Sequence, residues 1–266
     1  MKKSIVLFIL TANIFIITGL LHAQTLEGQM INICDDGAEW PPYTYYKRSI
    51  IGEKLDHVIG FSVDIIHEIF DKNGIAFSVQ LIPWARCQKN VHFGKDYQMA
   101  LNVSYNKERA EKYIFSKAYY TTSSYYFYSK KNNPNGLQIN HVDDLKKYKV
   151  CGVLGYNYET YGFPSGSIDQ GAKGFNALIA MIHYQRCTLF IEKYEILAGF
   201  KAIGDDYLAD KDLGYHNIPG VESTSFYMII SKNYQYGKAL KDLIDNGIDE
   251  LKLSGKLDQI LKKYIH

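Results

Sequence analysis

The stretch FSVDIIHEIFDKNGIAFSVQL at residues 61–81 sets the fold class of this chain. Over 61–70 apolar residues recur at the spacing of one helical face, and the Asn73-Gly74 pair supplies a C-terminal stop. At 75–81 apolar residues occupy every second position, a pattern that predicts a strand with one face against a core. A helix that leads directly into such a strand is the repeating step of an α/β fold.

The flanking sequence extends this step on both sides. A short apolar strand is predicted at 30–34, Pro83 opens a helix over 84–91, and another apolar strand follows at 98–103. This alternation of strand and helix predicts a mainly parallel sheet with helices on both faces, connected by right-handed crossovers.

The same alternation starts again in the second half of the chain. Helices are predicted at 142–148, 174–185 and 194–203, strands at 149–154, 188–191 and 223–231, and two helices within 235–265. Between the halves, 113–128 is rich in β-forming residues and is expected to be extended. The sequence therefore predicts two α/β lobes joined by extended chain near 121–124.

The composition indicates a globular protein with little overall charge. Of 266 residues, 47% are hydrophobic, 22% are charged and 6 are Pro, which excludes a disordered or collagen-like chain. Lys+Arg number 30 and Asp+Glu 28, so that loss of Lys2 and Lys3 with a leader leaves 28 of each. A balanced chain lacks the basic face that a nucleic acid partner requires. The unusual feature is the 23 Tyr and 13 Phe, of which the run at 125–128 is expected to be structural.

Residues 1–23 have the layout of a secretory signal peptide. A basic start precedes an apolar stretch at 5–21, and Ala23 supplies a small residue at the cut. An uncleaved membrane anchor is the alternative, but Asn13 interrupts the apolar stretch and no basic cluster follows it. We therefore expect cleavage after Ala23 and export of the mature chain.

Four cysteines, Cys34, Cys87, Cys151 and Cys187, fit an oxidising compartment, where an even number usually forms disulfides. Three connectivities are possible. Neither a C-x-x-C motif nor a nearby His pattern accompanies them, so a zinc site and a thioredoxin-like redox site are not expected. We expect two disulfides, no metal and no cofactor.

A series of short motifs carries a family resemblance along almost all of the mature chain. They are W-P-P-Y at 40–43, I-G-F-S-V-D-I-I at 59–66, K-E-R at 107–109, I-F-S at 114–116, V-C-G-V-L-G at 150–155, R-C-T-L-F-I-E at 186–192 and L-S-G-K-L at 253–257. In this order and spacing the chain resembles the type II periplasmic solute-binding proteins, specifically the polar amino-acid binding family (family 3) that serves ABC importers.

The resemblance implies a domain organisation, an activity and partners. Lobe 1 would comprise 24–122 and 223–266 and lobe 2 residues 123–222, with a ligand cleft between them. The chain would be a binding protein rather than an enzyme, and it would capture a small polar solute, an amino acid or a related carboxylate. It would act as a monomer and deliver this ligand to the membrane permease of an ABC importer.

The implied lobes also sort the cysteines. Cys34 and Cys87 fall in lobe 1, whereas Cys151 and Cys187 fall in lobe 2. Lobes that move about a hinge cannot readily be cross-linked to each other. The resemblance therefore implies the pairs Cys34–Cys87 and Cys151–Cys187.

Arg109 is the residue that the resemblance assigns to the ligand carboxylate, which a planar guanidinium can bind bidentately. Read on its own, an Arg in the charged turn at 106–109 would be a solvated helix residue. Ser104 and Asn102 lie at the end of the preceding strand, where short polar side chains can complete the grip. The alternative for Ser104 is a helix N-cap.

Two further groups of residues complete the expected ligand site. Trp40 stands where the family places an aromatic that stacks on the ligand, with Tyr43 and Trp84 as neighbours in the same wall. The alternative is that these aromatics pack beneath the Pro-rich loop. In lobe 2, three residues are expected to open a helix whose backbone amides meet the carboxylate: Asn157, Tyr158 and Glu159.

The partner of the ligand amino group is the point at which the sequence departs from the family pattern. The usual acidic position falls on Lys193, and Glu192 lies one residue earlier. Because adjacent strand residues face opposite ways, only one of the two is expected to point into the cleft. Glu192 would pair with an ammonium, whereas Lys193 would favour an acidic or non-amino ligand. Glu195 is a further candidate.

Two other functions are compatible with the same fold. One is an enzyme that resembles a cyclohexadienyl dehydratase, in which an acid in the cleft performs general acid chemistry. The other is a soluble ligand sensor for a membrane receptor. The sequence carries no H-E-x-x-H, G-x-S-x-G, G-x-G-x-x-G or P-loop motif, and no catalytic residue is assigned.

Overall fold

The computed structural model describes residues 26–265, which form two mixed sheets, a separate hairpin and flanking helices. The predicted signal peptide at 1–23 lies outside the described residues. The strands are β1 (Met30–Asp36), β2 (Tyr45–Arg48), β3 (Lys54–Ile59), β4 (Ala76–Ile82), β5 (Met99–Ser104), β6 (Tyr113–Phe115), β7 (Tyr120–Thr122), β8 (Ser124–Ser129), β9 (Val150–Val153), β10 (Asp169–Ala172), β11 (Leu189–Lys193), β12 (Leu213–Asn217) and β13 (Thr224–Ser231).

Seven α-helices and several short 3-10 helices connect the strands of the described chain. The α-helices are α1 (Phe61–Phe70), α2 (Trp84–Phe93), α3 (Lys107–Lys112), α4 (Phe175–His183), α5 (Tyr194–Gly199), α6 (Gly237–Leu253) and α7 (Lys256–Leu261). The 3-10 helices are Asp71–Asn73, Val142–Lys147, Glu159–Tyr161, Phe200–Ile203 and Tyr207–Ala209.

The first sheet has the order β4-β1-β5-β13-β6, and β7 also pairs with β13. β1 runs parallel to both β4 and β5, whereas β13 is antiparallel to its neighbours. On one face of this sheet α1 packs with Ile65, Ile66 and Ile69, each at most 2% exposed. Burial of one such side chain contributes about 1.5–3 kcal/mol, so the face predicted from 61–70 anchors this half of the fold.

The second sheet has the order β10-β9-β11-β8-β12. The strands β10, β9 and β11 are parallel, and β8 and β12 are antiparallel to their partners. The aromatic run at 125–128 lies in β8, where Phe127 stacks on Phe190 of β11 and both are fully buried. This run is therefore part of the core of the second sheet.

The chain passes between the two sheets twice. β7 ends at Thr122 in the first sheet and β8 begins at Ser124 in the second, so Ser123 alone connects them. The return path runs from the end of β12 at Asn217 to the start of β13 at Thr224. The two connections lie side by side, because the hydroxyls of Ser124 and Thr224 are 3.3 Å apart.

The structure departs from the predicted elements in three ways. The sheets are mixed rather than mainly parallel, because β13 and β8 enter antiparallel after each passage between sheets. The predicted helix at 142–148 is a 3-10 helix. Four strands were not predicted, namely β2, β3, β10 and β12, because they are short and largely exposed and so lack an alternating apolar pattern.

Each half of the fold contains one disulfide, which connects two of its own elements. Cys34 of β1 is bonded to Cys87 of α2, and Cys151 of β9 is bonded to Cys187, which precedes β11. These are the pairs that the resemblance implies. Neither disulfide crosses between the two sheets.

In the part of the chain that the structure describes, no helix has the length and apolar character needed to cross a membrane.

Removal of either disulfide is expected to destabilise the fold. The bridges span 53 and 36 residues, for which the chain-entropy model gives about 4 kcal/mol each as an upper estimate. We expect the double variants Cys34→Ala/Cys87→Ala and Cys151→Ala/Cys187→Ala to unfold at lower urea concentration by circular dichroism. An unchanged midpoint in both variants would contradict the expectation.

Candidate binding site

A small cavity lies where the carboxyl ends of the parallel strands of the two sheets face each other. Its volume is about 50 Å³. It is lined by Asp35, Asp36, Trp40, Trp84, Asn102, Ser104, Arg109, Tyr156, Asn157, Tyr158, Tyr161, Ile191, Glu192, Lys193 and Phe226. Strand ends of this kind are the usual ligand position in α/β proteins, because side chains and backbone groups from several strands converge there.

Arg109 reaches the cavity from the short helix α3. Asn106 caps this helix by accepting a hydrogen bond from the Arg109 backbone N–H at 2.8 Å. The guanidinium donates to the Ser104 carbonyl at 2.9 Å and hydroxyl at 3.0 Å, and to the Gly155 carbonyl of the other half at 3.0 Å. Arg109 is only 7% exposed, and burial lowers its pKa to about 10. It is a desolvated cation held by neutral oxygens, not a solvated helix residue.

Aromatic side chains form one wall of the cavity. Trp40 contacts Tyr156 edge to face, with ring centroids 5.5 Å apart, and Phe226 at 6.0 Å. Trp84 donates its indole N–H to the Gly155 carbonyl at 3.1 Å and lies beside the guanidinium of Arg109. Tyr43 lies outside the lining and stacks on Tyr120 in the core. Trp40 and Trp84 therefore face the cavity, whereas Tyr43 packs behind it.

Asn102 sits at a β-bulge that turns its side chain toward β1. In the pairing with β13, Leu101 and Asn102 lie opposite the single residue Met228, and Asn102 has a left-handed φ of 55°. Its amide donates to the Asp35 carboxylate and to Thr44 at 2.9 Å. The amide oxygen accepts from three hydroxyls, those of Ser62, Tyr119 and Tyr120. Asn102 thus lines the cavity, but its amide group is engaged with protein side chains and holds Asp35 in place.

Asp35 and Asp36 end β1 and are buried, at 2% and 5% exposed. Asp35 accepts hydrogen bonds from Thr44, Asn102 and the Asp36 backbone N–H. Asp36 accepts from the Ala38 backbone at 2.9 Å and, across the cleft, from the Tyr156 hydroxyl at 2.6 Å. Burial raises the pKa of Asp35 to about 7 and that of Asp36 to about 6.

Glu192 and Lys193 both line the cavity from the end of β11. The expectation that only one of them faces the cleft is wrong, because both contribute to the lining, and Lys193 is the last residue of β11, where strand alternation ends. One Glu192 oxygen accepts from the Lys193 backbone N–H at 2.8 Å, and the other, Oε2, has no partner within the described chain. Burial raises the pKa of Glu192 to about 8.

The lysine at this position is fully satisfied by the protein. The ammonium of Lys193 donates to the hydroxyls of Ser124 at 2.9 Å and Thr224 at 2.8 Å, and to that of Tyr161. Each of the three ammonium N–H groups donates to one of these oxygens. Lys193 therefore contributes a positive charge to the cavity but has no N–H group left to donate to a ligand. Glu195 lies apart from the cavity and accepts the Ser123 backbone N–H with both carboxylate oxygens at 2.9 Å.

Five buried charged side chains therefore surround one small cavity. Three are acidic (Asp35, Asp36, Glu192) and two are basic (Arg109, Lys193), which gives a formal charge of −1 when all are ionised. Within residues 26–265, none of the five takes part in an ion pair. Buried charges are normally paired, so these five side chains are unusual in having no ion-pair partner in the described part of the chain.

The cavity brings together most of the residues expected from the sequence. Trp40, Trp84, Asn102, Ser104, Arg109, Asn157, Tyr158 and Glu192 line it, whereas Tyr43 and Glu159 do not. Tyr158 donates to no carboxylate; its hydroxyl accepts the Val153 backbone N–H at 2.8 Å. The expected helix at 157–159 is a 3-10 turn that starts at Glu159.

Sequence reasoning missed the two aspartates and Tyr156. Asp35 and Asp36 directly follow the predicted strand at 30–34, and two acids at the carboxyl end of a central strand are the signal that was available. Cys151, Asp169 and Cys187 also lie close together, but both sulfurs are bonded to each other and are not metal ligands.

Two α/β units that meet at a cavity of buried charges define a solute-binding protein of the two-lobed class. The sequence model of the bacterial extracellular solute-binding proteins, family 3, matches residues 32–266, and the chain belongs to this family. This confirms the resemblance and the predicted fold class.

Individual relatives agree with this assignment. A probable histidine-binding protein of Campylobacter jejuni is 28% identical over 211 residues, which cover 77% of this chain and 76% of that protein. The crystal structure of the substrate binding protein of an amino acid ABC transporter is 22% identical, with a TM-score of 0.65, and the match covers 89% and 99% of the two chains. A Streptococcus pneumoniae ABC uptake transporter substrate binding protein with bound histidine has 19% identity and a TM-score of 0.69, over 90% and 94%.

The buried carboxyls are expected to make the ligand-free protein more stable in mild acid. Their pKa values of about 6 to 8 exceed those of the unfolded chain, so folding favours the protonated forms, and this stability is lost as pH rises from about 5 to above 8. We expect Tm to fall by several degrees over that range and Asp36→Asn to reduce the slope. The exposed Asp242→Asn is the matched control and should leave it unchanged.

Proposed function

We propose that this protein captures an amino acid of net charge +1 in the cavity and delivers it to an ABC importer. The observation that carries this proposal is that the protein satisfies two of the five charged side chains itself and leaves three for a ligand. Asp35 has three donors and Lys193 has three acceptors, so the protein itself satisfies both. Arg109, Asp36 and Glu192 remain for the ligand, as one cation and two anions.

Arg109 and Ser104 are assigned to the ligand carboxylate. The guanidinium has five N–H groups and makes three hydrogen bonds to the protein, which leaves two for a ligand. A bidentate bond to a carboxylate would replace the missing counter-ion of this buried cation. The Ser104 hydroxyl, already bonded to the guanidinium, adds a polar group beside it.

Glu192 and Asp36 are assigned to the two positive groups of the ligand. Glu192 Oε2 is buried and has no hydrogen-bond partner among residues 26–265, so an ammonium there would satisfy it. Asp36 faces the same cavity from the opposite sheet, next to Trp40 and Tyr156, whose rings suit a planar cation. Two carboxylates against one free cation favour a cationic over a neutral amino acid.

The domain motion and the cellular setting follow from the same proposal. Residues 24–122 with 223–266 and residues 123–222 would move as two lobes about the paired connections at Ser123 and 217–224, which opens the cleft to the ligand. The protein would work as a monomer in the periplasm, after cleavage of the signal peptide at 1–23, with an ABC permease as its membrane partner. The named histidine-binding and amino acid-binding relatives support this role.

A binding role is also favoured over an enzyme. The buried acids in the cavity are hydrogen-bonded or placed to meet a cation, and the sequence offers no nucleophile motif. A sensor role would use the same ligand site. Recovery of the ligand unchanged after prolonged incubation supports binding, whereas conversion would support the dehydratase-like alternative.

The ligand class is tested by isothermal titration with a panel of amino acids. We expect L-arginine and L-lysine to bind more tightly than L-glutamine and L-glutamate, because only the first two carry two positive groups at neutral pH and can neutralise both Asp36 and Glu192. L-citrulline, which has nearly the shape of L-arginine without its charge, is the sharpest comparison. Tighter binding of citrulline would refute the cationic class, and absence of binding by every amino acid would refute the function.

Truncation of Arg109 tests whether this residue binds the ligand carboxylate. Arg109→Ala is expected to lose about 2–5 kcal/mol of binding free energy for the best ligand of the panel, which is about 30-fold or more in Kd. Arg86→Ala, an exposed arginine on α2, is the matched control and should bind as the wild type does. Full affinity in Arg109→Ala would remove this residue from the site.

A further inference from the structure

Lys193 occupies an unusual position for a buried lysine. Its side chain is 7% exposed, it faces the ligand cavity, and its ammonium binds only neutral hydroxyls. Ser124 and Thr224 supply two of these hydroxyls, and they are the first strand residues after the two connections between sheets. An uncharged side chain would avoid the desolvation of this cation, so its charge requires an explanation.

The immediate neighbour of this charge is Glu192. The Lys193 backbone N–H donates to Glu192 Oε1 at 2.8 Å, and the ammonium lies on the same cavity wall, beyond ion-pair distance from the carboxylate. The positive charge lowers the pKa of Glu192 and partly opposes the effect of burial. Because the hydroxyls hold the ammonium away from Glu192, Oε2 is left free for a ligand.

We propose that Lys193 is a positioning residue that favours the ionised form of Glu192 when the ligand ammonium binds, without itself pairing with the carboxylate. The three hydroxyls of Ser124, Tyr161 and Thr224 fix the ammonium close enough to act through its field and too far to occupy Oε2. This proposal rests on the proposed function, since it assigns a role to the acid that binds the ligand.

Other charged and titratable groups also face Glu192. Asp36 on β1 acts against its ionisation, and Tyr156 and Tyr158, from the segment after β9, lie near it as neutral phenols. Tyr161 contacts the ammonium, and Arg109 lies in the same cavity. Among these groups Lys193 is adjacent to Glu192 in the chain and already fixed, so its charge is the one that opposes Asp36 directly.

The test compares two substitutions of Lys193 in L-arginine binding measured by titration calorimetry between pH 5.5 and 8.5. Lys193→Gln removes the charge and retains an amide that can donate to the hydroxyls, whereas Lys193→Arg retains the charge. We expect Lys193→Gln to weaken binding at least tenfold at pH 7 and to move the half-maximal pH for affinity upward. Lys193→Arg should restore most of the affinity and the wild-type profile. L-Arginine is the probe because its side chain does not titrate in this range.

A double-mutant cycle separates this role from a structural one. If Lys193 acts through Glu192, the combined Glu192→Gln/Lys193→Gln variant should bind no more weakly than Glu192→Gln alone. Lys146→Met, which removes an exposed lysine of the second half, is the control and should leave the pH profile unchanged.

Each outcome decides between the proposals. A uniform loss of affinity at every pH in Lys193→Gln, or additive losses in the cycle, would show a purely structural lysine and overturn the inference. Unchanged binding in Lys193→Gln would overturn it as well, with the proposed function intact. If the wild-type protein binds no amino acid, the proposed function fails, and the role of Lys193 fails with it.

Discussion

A charge removed from water must be neutralised or well hydrogen-bonded, and this constraint governs the centre of the molecule. Five charged side chains surround a cavity of about 50 Å³, and they are held by hydroxyls, amides and carbonyls. Asn102 leaves the regular strand geometry to hold Asp35, and three hydroxyls from separate elements converge on Lys193. The bulge at Asn102 and the three hydroxyls around Lys193 therefore lie where buried charge has to be held by hydrogen bonds.

The contact between the two halves involves one of these charges, that of Arg109. The Gly155 carbonyl accepts hydrogen bonds from Trp84, Gln88 and Arg109, all of which belong to the first half. Gly155 has a left-handed φ of 83°, and a Cβ there would lie 3.2 Å from both Trp84 and Gln88. A larger residue would require both side chains to shift by a few tenths of an ångström at the place where Arg109 reaches across. Glycine at this position thus permits both the turn and the close approach that the buried guanidinium needs.

The fold was largely predictable from the sequence, and the charge pattern of the site was predictable only in part. The periodicity of 61–81 predicts a helix and a strand because burial on one face leaves a regular spacing of apolar residues. Arg109 could be assigned through a motif. No periodicity marks Asp35 and Asp36, since two acids after a strand usually belong to a solvated turn. The bulge at Asn102 interrupts the alternation within β5, and Lys193 is the last residue of β11, so alternation does not fix which way either side chain points.

Under the proposed function, the distribution of the unsatisfied charges would link ligand capture to closure of the two halves. Arg109 and Asp36 belong to the half that contains the first sheet, whereas Glu192 belongs to the second. A ligand with a carboxylate and an ammonium would therefore bind one half by its acid and the other by its amine, and both contacts exist only when the halves meet. Such a ligand stabilises the closed arrangement by its differential affinity for it. A ligand that lacks one of the two groups would leave a buried charge uncompensated in that arrangement, so the same charges that recognise the ligand also select for closure.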